Sequence, residues 1–477
     1  EGISVGISSH HLTQIPGLLR RDGSPPLYYL VLHGWMRLFG SSETATHSLS
    51  LLLSLVAIPV ALWAGWSLFG RRVGWIFAAL MAFSPYLADF ATETRMYALV
   101  TLLALVATTS FLHAFVLGRR RYLWLFVVSL TLVLYTHNWG LWLAAAAAAA
   151  LVPCGVGTAD RRRFLQDAVV AFGAVALAYL PWLPTLAAQA AHTGAPWSAR
   201  PLPREAVSVV ADLLGDPHER VLVALVLVAG PVLWSLLRSR MHDWGAVAAL
   251  GVLATVPVGL GWAAAQFSPS WAPRYLAVCA PAVLLLAAIG LARAGARGGL
   301  ALALILAFWI QPFGRLTGLR TGGGPGDRAV VQPLARSLAG DLRPGDLVVA
   351  MQMEELPVLA YYLPPGLRFA TALGAVADPG VTDWRDALAR MKATTPVAAL
   401  QPDLDRAAVG SHVVLVCAEP TSGPRSLPWF GLMDRHCDEW RAALQADSRF
   451  ASFPDEAGRA PSVGATRQVL GFTKTAA

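Results

Sequence analysis

The sequence has few charged residues. Lys, Arg, Asp and Glu make up 14% of its 477 residues, whereas 56% are hydrophobic, and the mean hydropathy is +0.53. An ordinary soluble domain does not need this much apolar surface. The composition therefore argues against a soluble protein and indicates a multi-span membrane protein.

Signs of a metal centre or a nucleotide site are also lacking. The four cysteines have no metal-ligand spacing, and Gly322–Gly324 follows no strand and precedes no helix of the kind that a nucleotide-binding loop requires. Cys154 and Cys279 fall in or beside apolar segments and are expected to be packing residues. Cys417 and Cys437 can form a disulfide in an oxidising compartment.

What the sequence has instead is a series of long apolar runs. A helix needs about 20 residues to cross a bilayer, or somewhat fewer with interfacial ends. The runs predict about ten spanning helices, at residues 47–69, 74–90, 95–117, 122–137, 139–154, 165–184, 219–237, 244–264, 274–292 and 299–313.

Arginines occupy every second connection between these runs, and short cytoplasmic loops keep an excess of Lys and Arg. These connections are therefore expected to be cytoplasmic: Arg71–Arg72, Arg119–Arg121, Arg161–Arg163, Arg238 with Arg240, and Arg293 with Arg297. Residues 1–46 and everything after about 314 then lie outside. The net charge of +8 mostly reflects these arginines, so no nucleic-acid partner is expected.

The pattern divides the chain into three parts. Residues 1–46 are expected to form an external juxtamembrane catalytic segment, 47–314 a transmembrane bundle, and 326–477 an extracytoplasmic α/β domain after a Gly/Pro-rich linker at 321–326. Buried strands are predicted at 346–350 and 412–417, and helices at 329–341, 355–362, 383–393 and 432–447. The fold class is thus mainly α, a polytopic helical bundle with a C-terminal α/β domain.

Polar residues cluster near the start of the chain. Residues 3–15 are expected to form a short interfacial helix, and Pro25-Pro26 to start a helix at 27–39. Asp22 would then lie at the positive end of that helix, with Tyr28 on its first turn. The alternative for Asp22 is a helix cap without a catalytic role.

A second cluster is Glu93-Thr94-Arg95-Met96-Tyr97, which is expected to begin a helix at 93–117. Glu93 and Tyr97 would share one helical face, four residues apart, while Arg95 points elsewhere. The carboxylate and the guanidinium could hold a metal, a phosphate or one another. The alternative is an interfacial ion pair beside an aromatic belt.

Two weaker signals lie on the same external face. Trp271-Ala272-Pro273-Arg274-Tyr275 places Arg274 at the head of a spanning helix, and Tyr135-Thr136-His137-Asn138-Trp139 joins two others. Arginine can bind phosphate with its planar donors, but at a helix end it can also simply reach the lipid headgroups. His137 is more simply read as a structural residue.

Together these residues resemble the GT-C superfamily of membrane glycosyltransferases, specifically glycosyltransferase family 39, with protein O-mannosyltransferases and the lipid A aminoarabinose transferase. The resemblance covers residues 1–300. It implies that Glu1 is the Glu of an external Asp-Glu pair whose Asp would precede this chain, so we expect a further hydrophobic helix upstream. Asp22 matches the family's second acidic position, before its Pro-Leu-Tyr-Tyr-type helix. The other matched residues are Glu93, Arg95, Tyr97, Pro273, Arg274 and Tyr275.

The resemblance implies transfer of a sugar from a polyprenyl-phosphate donor to an external hydroxyl of a protein, glycan or lipid, with inversion. Glu1, Asp22 and Glu93 would be the catalytic residues. The residues expected to bind substrate are Arg95, Tyr97, Tyr28, His137, Arg274 and Tyr275. No cofactor is firmly implied, and a divalent metal is left open.

Two alternative functions from other classes remain. A transporter or flippase could line a substrate path with Asp, Glu and Arg, but transporters usually bury such residues near the midplane and often show internal repeats. A scaffold would leave both polar clusters without a purpose. The C-terminal domain is expected to fold on its own and to recognise the acceptor rather than carry out the bond chemistry.

Overall fold

A computed structural model of the chain describes residues 1–156, 158, 160–215, 220–239, 243–313, 328–418, 427–452 and 467–476. The predicted linker at 321–326 and Arg240 lie outside these residues. Helices dominate the described chain, and strands occur only in its C-terminal part. The mainly α fold class with a small C-terminal α/β region is confirmed.

The α-helices are α1 Gly2–Ser8, α2 Ile15–Asp22, α3 Leu27–Phe39, α4 Glu43–Phe69, α5 Arg71–Phe83, α6 Pro85–Ala91, α7 Tyr97–Phe111, α8 Leu123–Thr136, α9 Gly140–Gly155, α10 Arg161–Tyr179, α11 Leu183–His192, α12 Pro203–Leu213, α13 Arg220–Val228, α14 Gly230–Ser239, α15 Trp244–Phe267, α16 Ala280–Arg293, α17 Gly295–Phe313, α18 Arg328–Leu338, α19 Leu356–Tyr362, α20 Ala387–Ala393, α21 Pro396–Arg406 and α22 Pro428–Ala446. A π-helix, Leu112–Val116, continues α7, and short 3-10 helices span Arg120–Tyr122, Leu180–Trp182 and Pro273–Val278.

The chain forms two compact units. The membrane unit contains Ser24–Leu186 and Arg200–Leu319, and the C-terminal unit contains Glu1–Gly23, Ala187–Ala199 and Arg320–Ala477. Residues 1–46, expected as one segment, are thus divided at Gly23. The C-terminal unit is also larger than the expected domain at 326–477.

The described part of the chain has four helical stretches long and apolar enough to cross a membrane: Glu43–Phe69, Tyr97–Val116, Arg161–His192 and Trp244–Phe267. Two bent pairs raise the number to six, α5 with α6 at 58° and α13 with α14 at 42°. Pro85 explains the first bend, because the residue before a proline avoids the helical region, and Ser84 is extended. The protein is a multi-pass membrane protein, while the count of about ten spans stays a prediction.

Small residues let the helices of the membrane unit pack closely. Ala146, Ala147 and Ala150 are buried in α9, which packs against α15. At Gly261 in α15, an added Cβ would lie 2.5 Å from the indole ring of Trp139. This glycine therefore leaves the space in which Trp139 sits, just before α9.

The C-terminal unit contains a six-stranded mixed sheet. Its strands are β1 Leu347–Ala350, β2 Arg368–Thr371, β3 Gly374–Val376, β4 His412–Ala418, β5 Phe450–Ser452 and β6 Arg467–Lys474, in the order β3-β2-β1-β4-β6-β5. The central strand β1 is parallel to β2 and β4, and the outer pairs are antiparallel.

The sequence predicts β1 and β4 correctly, because both are apolar runs buried within the sheet. Helices α18, α19, α20 and α22 lie at the four predicted places. Helix α21 and strands β2, β3, β5 and β6 were not predicted, since they are short or mix polar with apolar residues.

The structure contains the disulfide that the sequence left open. Cys417 at the end of β4 and Cys437 in α22 form a disulfide, with their Cα atoms 6.0 Å apart. Cys154 and Cys279 are free thiols buried in the membrane unit. The disulfide ties the sheet to the helix that covers it.

Candidate active site

The turn before α7 carries Glu93 and Arg95. Helix α7 begins at Tyr97, so the expected helix at 93–117 starts four residues later than predicted and Glu93 does not share a helical face with Tyr97. The reason is that hydrogen bonds hold the turn in another shape. The Arg95 N–H donates to the Glu93 carbonyl at 2.7 Å, and Ser50 Oγ of α4 donates to the same carbonyl at 2.6 Å.

His137 lies between α8 and α9 in an extended conformation, with φ −152° and ψ 137°. Its Nδ1 accepts a hydrogen bond from the backbone N–H of Trp139 at 3.1 Å. An imidazole nitrogen that accepts carries no proton, so the neutral ring has its proton on Nε2. The buried His137 side chain can therefore donate a hydrogen bond from Nε2.

Arg274 and Tyr275 lie in the 3-10 helix Pro273–Val278, and α16 begins only at Ala280. Arg274 is therefore not at the head of an α-helical span, because the tighter turn with Pro273 at its start comes first. Tyr86 Oη of α6 donates to the Pro273 carbonyl at 2.9 Å. That bond fixes the start of the turn.

These three segments meet through their aromatic rings. The centroid of the His137 ring lies 5.8 Å from that of Tyr97 and 5.1 Å from that of Tyr275. The Arg274 guanidinium carbon lies 5.5 Å from the Tyr275 ring centroid, within the range of a cation–π contact. Tyr97, His137 and Tyr275, which are 40 to 178 positions apart in the sequence, thus belong to one cluster.

Charged groups also interact within this cluster. Glu93, Arg95, Arg274 and Tyr275 all act electrostatically on Tyr97. Arg95 and Arg274 also act on His137. Two guanidinium groups share the cluster with one carboxylate, and Glu93 is only 3% exposed. An anion such as a phosphate would balance this excess of positive charge.

Six of the nine predicted site residues are therefore brought together: Glu93, Arg95, Tyr97, His137, Arg274 and Tyr275. Tyr28 is buried in α3 of the same unit, where its ring packs edge-to-face against Tyr29 with centroids 5.9 Å apart. Glu1 and Asp22 belong to the C-terminal unit.

Asp22 is the last residue of α2, not a residue at the positive end of α3. Helix α3 does span Leu27–Phe39 as predicted, but its N-cap is Pro26 and it has no side-chain cap. Gly23, at φ 95°, ends α2 by donating its N–H to the Leu19 carbonyl at 2.9 Å. The capping alternative for Asp22 thus has no support at α3.

The expected interfacial helix at residues 3–15 is also different, because α1 ends at Ser8 and α2 begins at Ile15, so His10 and His11 lie between them. Glu1 is exposed and precedes α1 without capping it through its side chain.

Sequence reasoning gave no role to three aromatic residues of the cluster. The Phe90 ring lies 4.9 Å from that of Tyr97, and the Trp139 ring lies 5.6 Å from those of both Tyr275 and Trp271. The signal was present, because Trp139 and Trp271 flank His137 and Arg274 in the motifs. What the sequence does not give is the pairing of these rings across helices.

An apolar pocket of about 170 Å³ adjoins the turn that carries Glu93. Its lining comes from α4, the bent pair α5–α6, and α7, and includes Phe90, Ala91 and Ala98. In the described residues, no group of three or more His, Cys, Asp or Glu side chains is placed to hold a metal ion.

The fold has clear relatives among solved structures. No family model matches the sequence, and no curated protein matches it either. ArnT from Cupriavidus metallidurans in the apo state is similar over 98% of this chain and 92% of that protein, with a TM-score of 0.61 and 14% identity. The chain has the GT-C fold.

Two further structures agree with this fold. The same ArnT bound to undecaprenyl phosphate is similar at the same TM-score of 0.61, over 98% of this chain and 93% of that one, at 14% identity. The oligosaccharyltransferase of Archaeoglobus fulgidus in the apo form has a TM-score of 0.50 and 12% identity, over 82% of this chain and 61% of that one.

Proposed function

We propose that this protein is an integral membrane glycosyltransferase that moves a sugar from a polyprenyl-phosphate donor to an extracytoplasmic acceptor hydroxyl. The observation that carries the proposal is the convergence of Arg95 and Arg274 around His137, Tyr97 and Tyr275 in a chain with the GT-C fold. The excess of guanidinium groups over carboxylates suits a phosphate better than a neutral ligand.

The chemistry of the cluster and its surroundings supports the proposed donor class. The two arginines can bind the phosphate of the donor and stabilise it as the leaving group. The apolar pocket beside Phe90 suits an isoprenoid chain, which needs a lipid-accessible or apolar environment. The similar ArnT structure with undecaprenyl phosphate supports a lipid phosphate as the ligand.

The reaction needs a group that accepts a proton. The acceptor hydroxyl attacks the anomeric carbon, its proton passes to a carboxylate, and the bond from that carbon to the phosphate oxygen breaks. Attack from the face opposite the phosphate inverts the configuration. Glu1, Asp22 and Glu93 are the candidate carboxylates, and a general base of this kind contributes about 10²- to 10⁴-fold to the rate.

The arginine pattern supports the side of the membrane on which this happens. The connections rich in arginine would be cytoplasmic, and the turns that carry Arg95, His137 and Arg274 lie at the other ends of the same helices. The reaction would therefore take place on the extracytoplasmic face, where a lipid-linked donor needs no nucleotide.

The proposal is tested with the purified protein in proteoliposomes that contain polyprenyl-phosphate hexoses or pentoses. We expect release of free polyprenyl phosphate that depends on added acceptor, and loss of this release in Arg274→Lys, because lysine keeps the charge but not the bidentate donors. Arg72→Lys is the matched control, since Arg72 is exposed and donates to the Gly295 carbonyl.

A transporter would give a different result in the same vesicles. It would move the intact lipid-linked sugar across the bilayer without cleaving the bond between sugar and phosphate. If every donor tested is moved across the bilayer and none is cleaved, the protein is not the proposed glycosyltransferase.

A further inference from the structure

A second cavity of the membrane unit lies away from the cluster described above. It has a volume of about 910 Å³ and lies where the π-helix after α7, the C-terminal end of α9 and the first turns of α10 and α15 come together. The stretch Tyr97–Val116 has 20 residues, which at 1.5 Å per residue corresponds to roughly 30 Å, the thickness of a bilayer core. Tyr97 of the proposed active site and the cavity are thus at opposite ends of one spanning helix.

The wall of this cavity has an apolar and a charged part. The apolar part includes Phe115, Val116, Pro153 and Phe164, and the charged part consists of Arg120, Arg163, Asp160 and Asp167. A π-helix interrupts regular α-helix geometry and is frequent at functional sites. Here the π-helix Leu112–Val116 supplies part of the apolar wall.

Both carboxylates of the wall already have partners. Asp160 Oδ1 accepts the backbone N–H of Arg163 at 3.0 Å and so caps α10. Asp167 accepts from Arg120 Nε at 2.9 Å and from one Arg120 Nη at 2.7 Å. A guanidinium has five N–H donors, so Arg120 can still donate from its other Nη.

Two of the arginine clusters meet at this cavity, Arg119–Arg121 and Arg161–Arg163. Within the first, Arg119 donates to His113 Nδ1 at 3.2 Å and Arg121 lies over the Tyr122 ring at 5.1 Å. Only Arg120 and Arg163 of the six line the cavity. The six arginines outnumber the two aspartates, so the surroundings are strongly positive.

We propose that this cavity binds an anionic phospholipid of the membrane leaflet on the arginine-bearing face. Arg163 and Arg120 would bind the phosphate of the headgroup, and the acyl chains would lie along Phe115, Phe164 and Pro153. Basic pockets between membrane helices on the cytoplasmic side bind anionic headgroups in this way. The site is separate from the proposed sugar transfer and does not depend on it.

The test measures lipid binding to the purified full-length protein in detergent by native mass spectrometry. Phosphatidylglycerol is compared with phosphatidylethanolamine of the same acyl chains. We expect retention of phosphatidylglycerol in preference, and Arg163→Gln to weaken it about fivefold, which corresponds to one guanidinium near an anionic headgroup. Arg161→Gln is the matched control, because Arg161 is exposed in the same turn of α10 and does not line the cavity.

Three results would overturn the proposal. They are equal retention of the two lipids, an equal loss in the Arg161 and Arg163 variants, or displacement of the lipid by millimolar inorganic phosphate, which would indicate a site for a soluble anion. Thermal unfolding of both variants shows whether each one is folded. If Arg163→Gln unfolds, Arg120→Lys, which keeps the charge and loses the paired donors, is expected to lower retention in its place, and unchanged retention there would also count against the site.

Discussion

The backbone N–H of Trp384 donates a hydrogen bond to the carbonyl of Arg21 at 2.9 Å. Arg21 directly precedes Asp22, one of the proposed catalytic carboxylates. On its other side, Gln189 Nε2 of α11 donates to the Leu19 carbonyl, also at 2.9 Å. The turn that presents Asp22 is therefore fixed by two segments of the C-terminal unit.

The loop around Trp384 is itself held by an ion pair. Arg385 binds the Asp383 carboxylate with Nε at 2.9 Å and with one Nη at 2.7 Å. Burial raises the pKa of Asp383, but the hydrogen bonds and charge of Arg385 outweigh it and leave the pKa below its usual range. The ion pair is thus intact at neutral pH. We propose that these contacts position Asp22, in addition to the acceptor recognition expected of the C-terminal domain.

We predict that Gln189→Ala lowers the turnover number by about tenfold or more, because a small displacement of a catalytic group has a large effect on rate. The change removes the hydrogen bond to the Leu19 carbonyl and should reduce the free energy of unfolding by about 1 to 3 kcal/mol. Steady-state kinetics and thermal unfolding are measured together. Gln266→Ala is the control, since Gln266 Nε2 makes a bond of the same length, 2.9 Å, to the Pro201 carbonyl in the membrane unit. If the turnover number falls by the same small factor in both variants, Gln189 has no positioning role.

Asp22→Asn is expected to abolish most transfer and to leave folding and membrane insertion intact. The amide cannot accept a proton from the acceptor, and α3 does not depend on a side-chain cap, so little stability should be lost. Transfer is measured with the full-length protein, next to the surface variant Asp438→Asn, whose side chain is 72% exposed. Near-normal turnover by Asp22→Asn would return Asp22 to a structural role.

Arg95→Lys should raise the Michaelis constant for the lipid-linked donor far more than it changes stability. Lysine keeps the positive charge but loses the planar pair of donors that fits a phosphate. The measurement is donor saturation at fixed acceptor, with the melting temperature as the check on folding. An unchanged rate and Michaelis constant would mean that Arg95 serves only its neighbours in the turn.

The disulfide between Cys417 and Cys437 closes a loop with a sequence separation of 20 residues. Replacing both cysteines by serine should lower the free energy of unfolding of the C-terminal unit by about 3 kcal/mol, mainly through the larger freedom of the unfolded chain. Denaturant unfolding with and without reductant gives the value. Cys154→Ser is the control: it keeps the disulfide, so reductant should lower its midpoint as much as that of the parent protein. A reductant-independent midpoint in the parent protein would show that the bond does not form.

Cysteines placed near Asp22 and near Ser268 should both react with a membrane-impermeant thiol reagent added from outside, whereas one near Arg162 should not. This follows from the arginine-rich connections, which are expected to be cytoplasmic. The buried Cys154 and Cys279 are replaced first, so that only the introduced thiol reports. Labelling of the opposite set would reverse the orientation and the proposed location of the active site.

The amino-acid sequence by itself determined the class of the protein and much of its local structure. Apolar runs predict the helices because each run must bury or embed its surface. Pro25-Pro26 indicates the start of α3 because proline is favoured in the first turn of a helix, where its missing N–H is not needed. The sequence predicts the buried strands β1 and β4 for the same reason. These features depend on residues that are neighbours in the chain.

Tertiary structure decided how distant segments meet. The sequence predicts that Glu93 and Tyr97 share a helical face, which is wrong because Ser50 of α4 binds the Glu93 carbonyl and the turn stays out of the helix. It also cannot show that the rings of Tyr97 and Tyr275 lie 5.8 and 5.1 Å from the ring of His137, or that Trp384 holds the residue before Asp22. Helical period and spacing describe only a few turns of one segment, whereas these contacts depend on the packing of several helices and loops at once.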